Sequence, residues 1–269
     1  MSAYEHIIKY PRTPHLEGSN LQAGDEDLSQ VRFSEIAGKR LTVEEKIDGA
    51  NSGISFDENG KMLLQSRGHF LTGGYRERHY QLMKDWAGVH RQAFYDVLGS
   101  RYIMYGEWMY AKHSVFYDAL PHYFMEFDIY DRETGRFLDT ASRREMTARL
   151  PIVSVPVLAE RSFEKKEELL KLLGPSLYIT PAHTDTLRAL AAEQGLDPDK
   201  ICRETDPSMT MEGLYIKIEE DGEVKRRLKY VRGGFRQCIE ESQTHWLNRP
   251  IIPNQINVKM EDLFQMKDV

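Results

Sequence analysis

Lys46 ends the alternating run LTVEEKI, and Asp48-Gly49 follows at once, before a second alternating run, GISF. An amine is a nucleophile only after it has lost its proton, and burial and nearby positive charge both favour the neutral form. Asp48-Gly49 permits a tight turn in which backbone comes close to a phosphate-bearing ligand. The same pattern, Lys-x-Asp-Gly, also describes a solvated lysine before an ordinary hairpin, and alone it does not separate the two. Compatible chemistry recurs downstream. Ser66-Arg67 closes the next strand, and a planar guanidinium suits oxygen-rich groups. Glu107 lies in the run RYIMYGEWM as an acceptor. Phe127 and Asp128 lie in the aromatic run HYFMEFDIYD. Glu212-Gly213 precedes LYIKI, which carries Lys217, and RRLKYVR puts Arg227 and Lys229 on one strand face. Each also has a plainer reading as a satisfied carboxylate, a core aromatic or a charged edge strand.

The elements that must carry these residues are mostly strands. Alternation predicts strands over 41–47, 53–56, 62–67, 101–109, 122–131, 152–159, 213–220 and 223–231. Glu58 to Lys61, Asp221-Gly222 and Asp48-Gly49 read as hairpin turns. Leu82, Trp86, Val89, Ala93 and Val97, at steps of three and four, predict one helix over 77–98. Further helices are expected over 140–149, 162–173, 184–195 (stopped by Gly195) and 234–247. Residues 1–30 read as polar loop. Hairpin-joined strands interspersed with helices point to an α+β fold with antiparallel sheet. No compositional shift divides the chain, so 1–269 is expected to be one domain with a helical subregion near 160–205. A short helical tail is expected over 233–269.

The chain has 269 residues, 41% hydrophobic and 29% charged, with net charge −6. That is an ordinary globular composition. Overall charge does not announce a nucleic-acid partner, which would need a local basic patch. Lys225, Arg226, Arg227, Lys229, Arg232 and Arg236 offer one. The stretch HFLTGGYRERHY, basic and aromatic, fits either a nucleic-acid path or a surface loop. Cys202 and Cys238 make neither a metal-type spacing nor a disulfide framework. His113 and His122 have no third ligand at a sensible spacing. MSAYEHIIKYPRTPH lacks the apolar segment of a signal peptide, and no run approaches the ~18 apolar residues of a membrane helix. The simplest expectation is a reducing, cytoplasmic location.

Taken in order, Lys46 to Gly49, Ser66-Arg67, Gly106-Glu107, Phe127-Asp128, Glu212-Gly213 with Lys217, and Arg227 to Lys229 resemble the collinear motifs of the covalent nucleotidyltransferases, the polynucleotide ligases and mRNA capping enzymes. The resemblance spans 41–232. Asn51 is similar to the residue found in RNA ligases of the phage T4 RNA ligase 2 type, which include the RNA-editing ligases; DNA ligases and capping enzymes usually carry Arg there. Asp48 stands where that type often has His, and Arg227 where the family usually has Lys. The resemblance implies an antiparallel-sheet, ATP-grasp-like nucleotidyltransferase domain without an OB-fold domain, acting as an ATP-dependent RNA ligase with ATP and Mg²⁺ (or Mn²⁺). Lys46 would form a lysyl-AMP adduct, pass the AMP to an RNA 5′-phosphate, and a 3′-hydroxyl would then displace it. Glu45 would contact the adenine edge, Arg67 the ribose or a phosphate, and Glu107 the ribose hydroxyls. Phe127 would stack on the adenine. Lys217, Arg227 and Lys229 would meet phosphates, Glu212 would bind or orient the metal, and Asn51 would act near the RNA 5′-phosphate. The implied partners are RNA with 5′-phosphate and 3′-hydroxyl ends, from a nicked duplex or broken RNA, and separate end-healing enzymes in RNA repair. The alternatives are an ATP-dependent DNA ligase, a GTP-using capping enzyme and an inactive nucleotide- or nucleic-acid-binding module.

Overall fold

The computed structural model describes residues 6–21, 25, 29–235 and 250–266. Most of the helix expected over 234–247, with Arg236 and Cys238, lies outside them. In chain order the strands are β1 (His15–Leu16), β2 (Gln30–Val31), β3 (Arg40–Lys46), β4 (Ala50–Phe56), β5 (Met62–Ser66), β6 (Tyr102–Trp108), β7 (Phe124–Asp131), β8 (Arg136–Phe137), β9 (Val153–Ser154), β10 (Val157–Ser162), β11 (Gly213–Glu220) and β12 (Glu223–Val231). The helices are α1 (Gln81–Val89), α2 (Arg91–Leu98), α3 (Thr140–Thr147), α4 (Lys166–Leu170), α5 (His183–Glu193) and α6 (Pro198–Arg203). Among the described residues the strands form two six-stranded sheets. One has the order β10-β3-β11-β12-β1-β2; the other runs β5-β4-β6-β7-β8, with β9 beside β7. The long strands pair antiparallel, as expected for an α+β fold. Only short pieces run parallel: β1 with β12 and β2, and β9 with β7.

Each sheet has its own apolar core. Leu41, Val43, Leu214, Ile216 and Leu228 of the first sheet pack with Phe163 and Leu169. Ile54, Phe56, Met104, Trp108 and Phe124 of the second pack with Trp86 and Phe94 of α1 and α2. Burying one such side chain is worth about 1.5–3 kcal/mol. Between the sheets, buried charged groups lie beside a small cluster of Tyr10, Ile103, Tyr105, Phe127 and Tyr215. Arg143, fully buried, pairs with Glu44 of β3 and with Glu126 of β7, the latter at 2.6 Å. Lys217 of β11, also fully buried, meets Glu44 at 2.9 Å and Asp128 at 3.1 Å.

Three sequence expectations change. Asp48-Gly49 is no hairpin turn: β3 pairs with β10 and β11, β4 with β5 and β6, so the turn carries the chain from one sheet to the other. Local Asp-Gly chemistry is the same in both cases, and only strand pairing distinguishes them. The strand expected over 152–159 makes a second crossing. It breaks after Ser154, where Pro156 has no N–H to give a ladder, into β9 of one sheet and β10 of the other. The helix expected over 77–98 is a 3-10 turn, Tyr75–Tyr80, then α1 and α2. His90, at φ −93° and ψ 11°, interrupts it, and its Nε2–H donates to the Leu263 carbonyl at 2.9 Å. By contrast, Asp221-Gly222 does form the β11–β12 hairpin, with φ of 55° and 77°. The helical subregion holds α4, α5 and α6, with α5 followed by Gly195 at φ 68°.

Candidate active site

Register brings the distant motifs together. Lys46 lies opposite Gly213 on β11, so neighbouring Glu212 reaches its ammonium at 2.6 Å. Gly213 allows this packing because a Cβ there would sit 1.9 Å from the Tyr230 carbonyl oxygen. Across the crossing, Asn51 on β4 lies opposite Glu107 on β6. The crossing is itself pinned from within. The Asp48 carboxylate accepts the Ser114 and Val115 amides at 2.7 and 3.0 Å, and its own amide donates to Tyr117 Oη at 2.9 Å. Gly49 does not need an unusual φ. It needs space, since a Cβ would lie 2.7 Å from Met109 Sδ and 2.9 Å from the Trp108 carbonyl oxygen.

These strands enclose a cavity of about 190 Å³ between the sheets. Of the residues singled out in the sequence, Glu45, Lys46, Asn51, Arg67, Glu107, Phe127 and Lys229 line it. Glu212 stands behind Lys46. Lys217 and Arg227 are not among the lining residues. The Lys217 ammonium, expected near phosphates, instead donates to the Phe127 carbonyl at 2.6 Å and pairs with Glu44 and Asp128. Arg227 pairs with Asp128 at 3.0 Å and lies 3.8 Å over the Phe137 ring. Both hold the strand that presents Phe127. The expected basic patch is also dispersed. Lys225 pairs with Glu223, Arg226 with Glu35, Lys229 with Asp25 and Arg232 with Asp206.

Tyr10, Pro11 and Thr13 line the cavity although nothing in the sequence marked them. Their segment ties both sheets. The Ile8 carbonyl accepts from Tyr105 Oη and Gln65 Nε2 of the second sheet at 2.7 and 2.9 Å, and the Pro14 carbonyl accepts the Lys229 amide of the first at 2.9 Å. The Tyr10 ring meets Phe127 edge-on at 5.1 Å, and its hydroxyl bonds to Asp128 and Tyr215. Val155 at the second crossing and Tyr215 on β11 complete the wall. The two-proline, aperiodic stretch Tyr10 to Leu16 reads as loop and carries no signal of a cavity wall, and Val155 has only the proline after it.

The electrostatics reverse one expectation. Burial alone would lower the Lys46 pKa, but Glu212, Asp48 and Glu107 outweigh it, and the net shift is upward. Lys46 is therefore held as an ammonium, where positive neighbours were expected to free its proton. Burial pushes Glu107 up to about 8 despite Lys46, with Asp48 and Glu212 adding to the rise. Burial also raises Glu45, which the nearby Ser176 hydroxyl and Leu177 amide only partly offset. Asn51 Oδ1 is buried without a hydrogen-bond partner. For Asp128, burial works upward, but Lys217, Arg227 and Arg143 hold the carboxyl at about 2.

Residues 39–231 match the RNA ligase family model. The chain belongs to the RNA ligase family. The match begins after the Tyr10–Thr13 wall, so this member of the family completes its cavity with residues outside the matched region. Among solved structures the chain is similar to an archaeal ATP-dependent RNA ligase, 19% identical over 84% of this chain and 48% of that one, with TM-score 0.47. It is also similar to Naegleria gruberi RNA ligase mutants. One is an apo form, 16% identical over 81% of this chain and 58% of that one, TM-score 0.48. Another is described with AMP and Mn, 15% identical over 83% and 61%, TM-score 0.49. The chain thus spans about half the length of the first of these and under two thirds of the others. No curated protein matches it. Among the described residues no helix is long and apolar enough to cross a membrane.

Proposed function

We propose that this RNA ligase family chain joins RNA 3′-hydroxyl and 5′-phosphate ends at the expense of ATP. The observation that carries the reading is the convergence, in one cavity between two sheets, of Lys46 with Glu45, Asn51, Arg67, Glu107, Phe127 and Lys229. The lining fits a nucleotide. Asn51 Oδ1 and the Glu45 carboxylate are buried acceptors for N–H or O–H groups, Phe127 offers a ring to a base, and Arg67 and Lys229 offer cations to phosphate. Glu107, neutral up to about pH 8, can donate to a ribose oxygen as well as accept.

In the proposed first step the Lys46 amine attacks the α-phosphorus of ATP. A P–N bond forms, the bond to the β-phosphate oxygen breaks, and pyrophosphate leaves. Lys46 then yields AMP to an RNA 5′-phosphate, giving adenylylated RNA, and a 3′-hydroxyl displaces AMP to seal the strand. Catalysis of this kind is mainly positioning and charge neutralisation. Among the described residues no group of three or more His, Cys, Asp or Glu forms a metal cage. Mg²⁺ is ordinarily held by one or two carboxylates together with substrate phosphates and waters, and Glu212 is the carboxylate that fits. When bound, the cation would neutralise Glu212 and remove the main attraction keeping Lys46 protonated. The proposed context is RNA repair, with separate enzymes supplying the 5′-phosphate and 3′-hydroxyl ends.

The test is incubation with α-labelled ATP and Mg²⁺ or Mn²⁺, then denaturation. Acid-labile label on the protein that disappears in Lys46→Ala is expected. No label, or label that survives the substitution, would overturn the reading. Sealing of matched RNA and DNA nicks then separates RNA from DNA ligase, and labelling with GTP separates a capping activity.

A further inference from the structure

Among the described residues, Lys225, Arg226, Arg227 and Arg232 on and after β12 each pair with a carboxylate, and Lys229 lines the cavity. The segment Arg67–Tyr80 starts at the cavity and ends in the core of the second sheet. At one end Arg67 is exposed at the cavity mouth. At the other, Tyr80 is buried and the His79 carbonyl accepts Trp108 Nε1–H at 2.9 Å. Between them Glu77, only 6% exposed, accepts the Thr72 and Gly73 amides at 3.1 and 2.8 Å and pairs with Lys84 at 2.5 Å. Burial works to raise the Glu77 carboxyl, but Lys84 and the two amides lower it overall. Gly73 and Gly74, at φ 120° and 109°, turn the chain outward in conformations that side chains resist.

The result is a loop fixed by a buried pin that exports one large aromatic side chain. Tyr75 is 72% exposed. The Arg78 guanidinium lies 4.8 Å from its ring centroid and donates to its hydroxyl at 2.6 Å. His69, its side chain 61% exposed, lies in the same loop, 4.0 Å from Glu77. Glu77 faces inward, while the Tyr75 ring and the His69 side chain are exposed. An aromatic ring with an adjacent guanidinium is the pairing that holds single-stranded nucleic acid, with a base on the ring and a phosphate on the cation.

We propose that Tyr75 and Arg78 form a docking platform for a single-stranded stretch of RNA running to the cavity past Arg67. One base stacks on Tyr75, and the adjoining phosphate rests on Arg78. The proposal builds on the ligase reading and supplies the grip on the polynucleotide that the cavity lacks.

The experiment uses the whole chain and a fluorescent, 5′-phosphorylated single-stranded RNA. Anisotropy reports RNA affinity, and label transfer from ATP in the absence of RNA reports the nucleotide site. Tyr75→Ala weakens RNA binding about tenfold, within the range that base–aromatic stacking supplies. Tyr75→Leu, which keeps apolar bulk without a ring face, is equally weak, and Tyr75→Trp restores binding. Arg78→Ala weakens binding and reduces the slope of log affinity against log salt by about 0.7, one phosphate contact on a single strand. All four variants take up label as the unaltered chain does. Unchanged RNA affinity in Tyr75→Ala and Tyr75→Leu overturns the platform. Failure of the unaltered chain to take up label overturns the ligase reading instead, and the RNA titration still decides the platform.

Discussion

Lys46 carries its positive charge chiefly because Glu212 sits 2.6 Å away, with Asp48 adding to the attraction and Glu107 doing so once it ionises. In the proposed reaction an amine held in this form is inert until Glu212 is neutralised, which would tie its activation to arrival of a cation and a polyphosphate. Glu107 gives the site a measurable pH signature. Its folded pKa, about 8, lies above its ordinary 4.5. The folded state therefore binds more protons than the unfolded state between those values, and stability from this group is full below pH 4.5 and lost as pH rises through 8. Glu107→Gln is expected to flatten the fall in thermal midpoint across that window. A slope as steep as that of the unaltered chain would show that another group carries it. Lys46, Glu107 and Glu212 stood out in the sequence as members of an ordered series of motifs. Whether Lys46 was charged could not be read there, since its pKa depends on neighbours brought from 166 positions away.

The crossing from β3 to β4 is the element that makes the site, because it places Lys46 on one sheet and Asn51 on the other. Gly49→Ala forces a Cβ against Met109 Sδ and the Trp108 carbonyl oxygen. Overpacking of this kind costs about 1–3 kcal/mol, and a lower urea midpoint with loss of label transfer is expected. The Tyr10 segment is the second positioning element. Tyr10→Ala removes ring contacts to Tyr105, Phe127 and Phe137. It is expected to raise KM for ATP in label transfer about tenfold, the effect of losing the Phe127 pair at roughly 0.5–1.5 kcal/mol, while kcat changes less. Tyr10→Phe keeps the ring contacts and is expected to recover most of the affinity. Equal loss in KM and kcat would mean that Tyr10 supports the fold rather than the base site. Strand runs and the β11–β12 hairpin were legible because periodicity and Asp-Gly turns are local. The β3–β4 turn was misread for the same reason.

At the scale of the molecule, two apolar cores are joined across a charged seam. Arg143 bridges Glu44 of one sheet and Glu126 of the other, while Lys217 and Arg227 share Asp128. Removing one member of such a buried group leaves its partners uncompensated and costs about 3–5 kcal/mol. Arg143→Met is expected to lower stability by that amount in urea unfolding and to disturb label transfer, because Glu44 lines the cavity. A cost below about 1 kcal/mol, typical of exposed pairs, would show that the seam does not hold the sheets in register.

The amino-acid sequence by itself determined the alternating strands, the α+β class, the order of the motifs and the residue types on which the proposed nucleotide site draws. These rest on local periodicity and on chemistry that a side chain carries wherever it lies. Only the tertiary structure decided which of those residues share a cavity. It turned Lys217 and Arg227 into supports, spent the basic residues around β12 on carboxylates, and brought Tyr10 into the wall. The physical reason is that a strand pattern tells which side chains alternate but not which partner strand they face. Charge, burial and access are set by that partner.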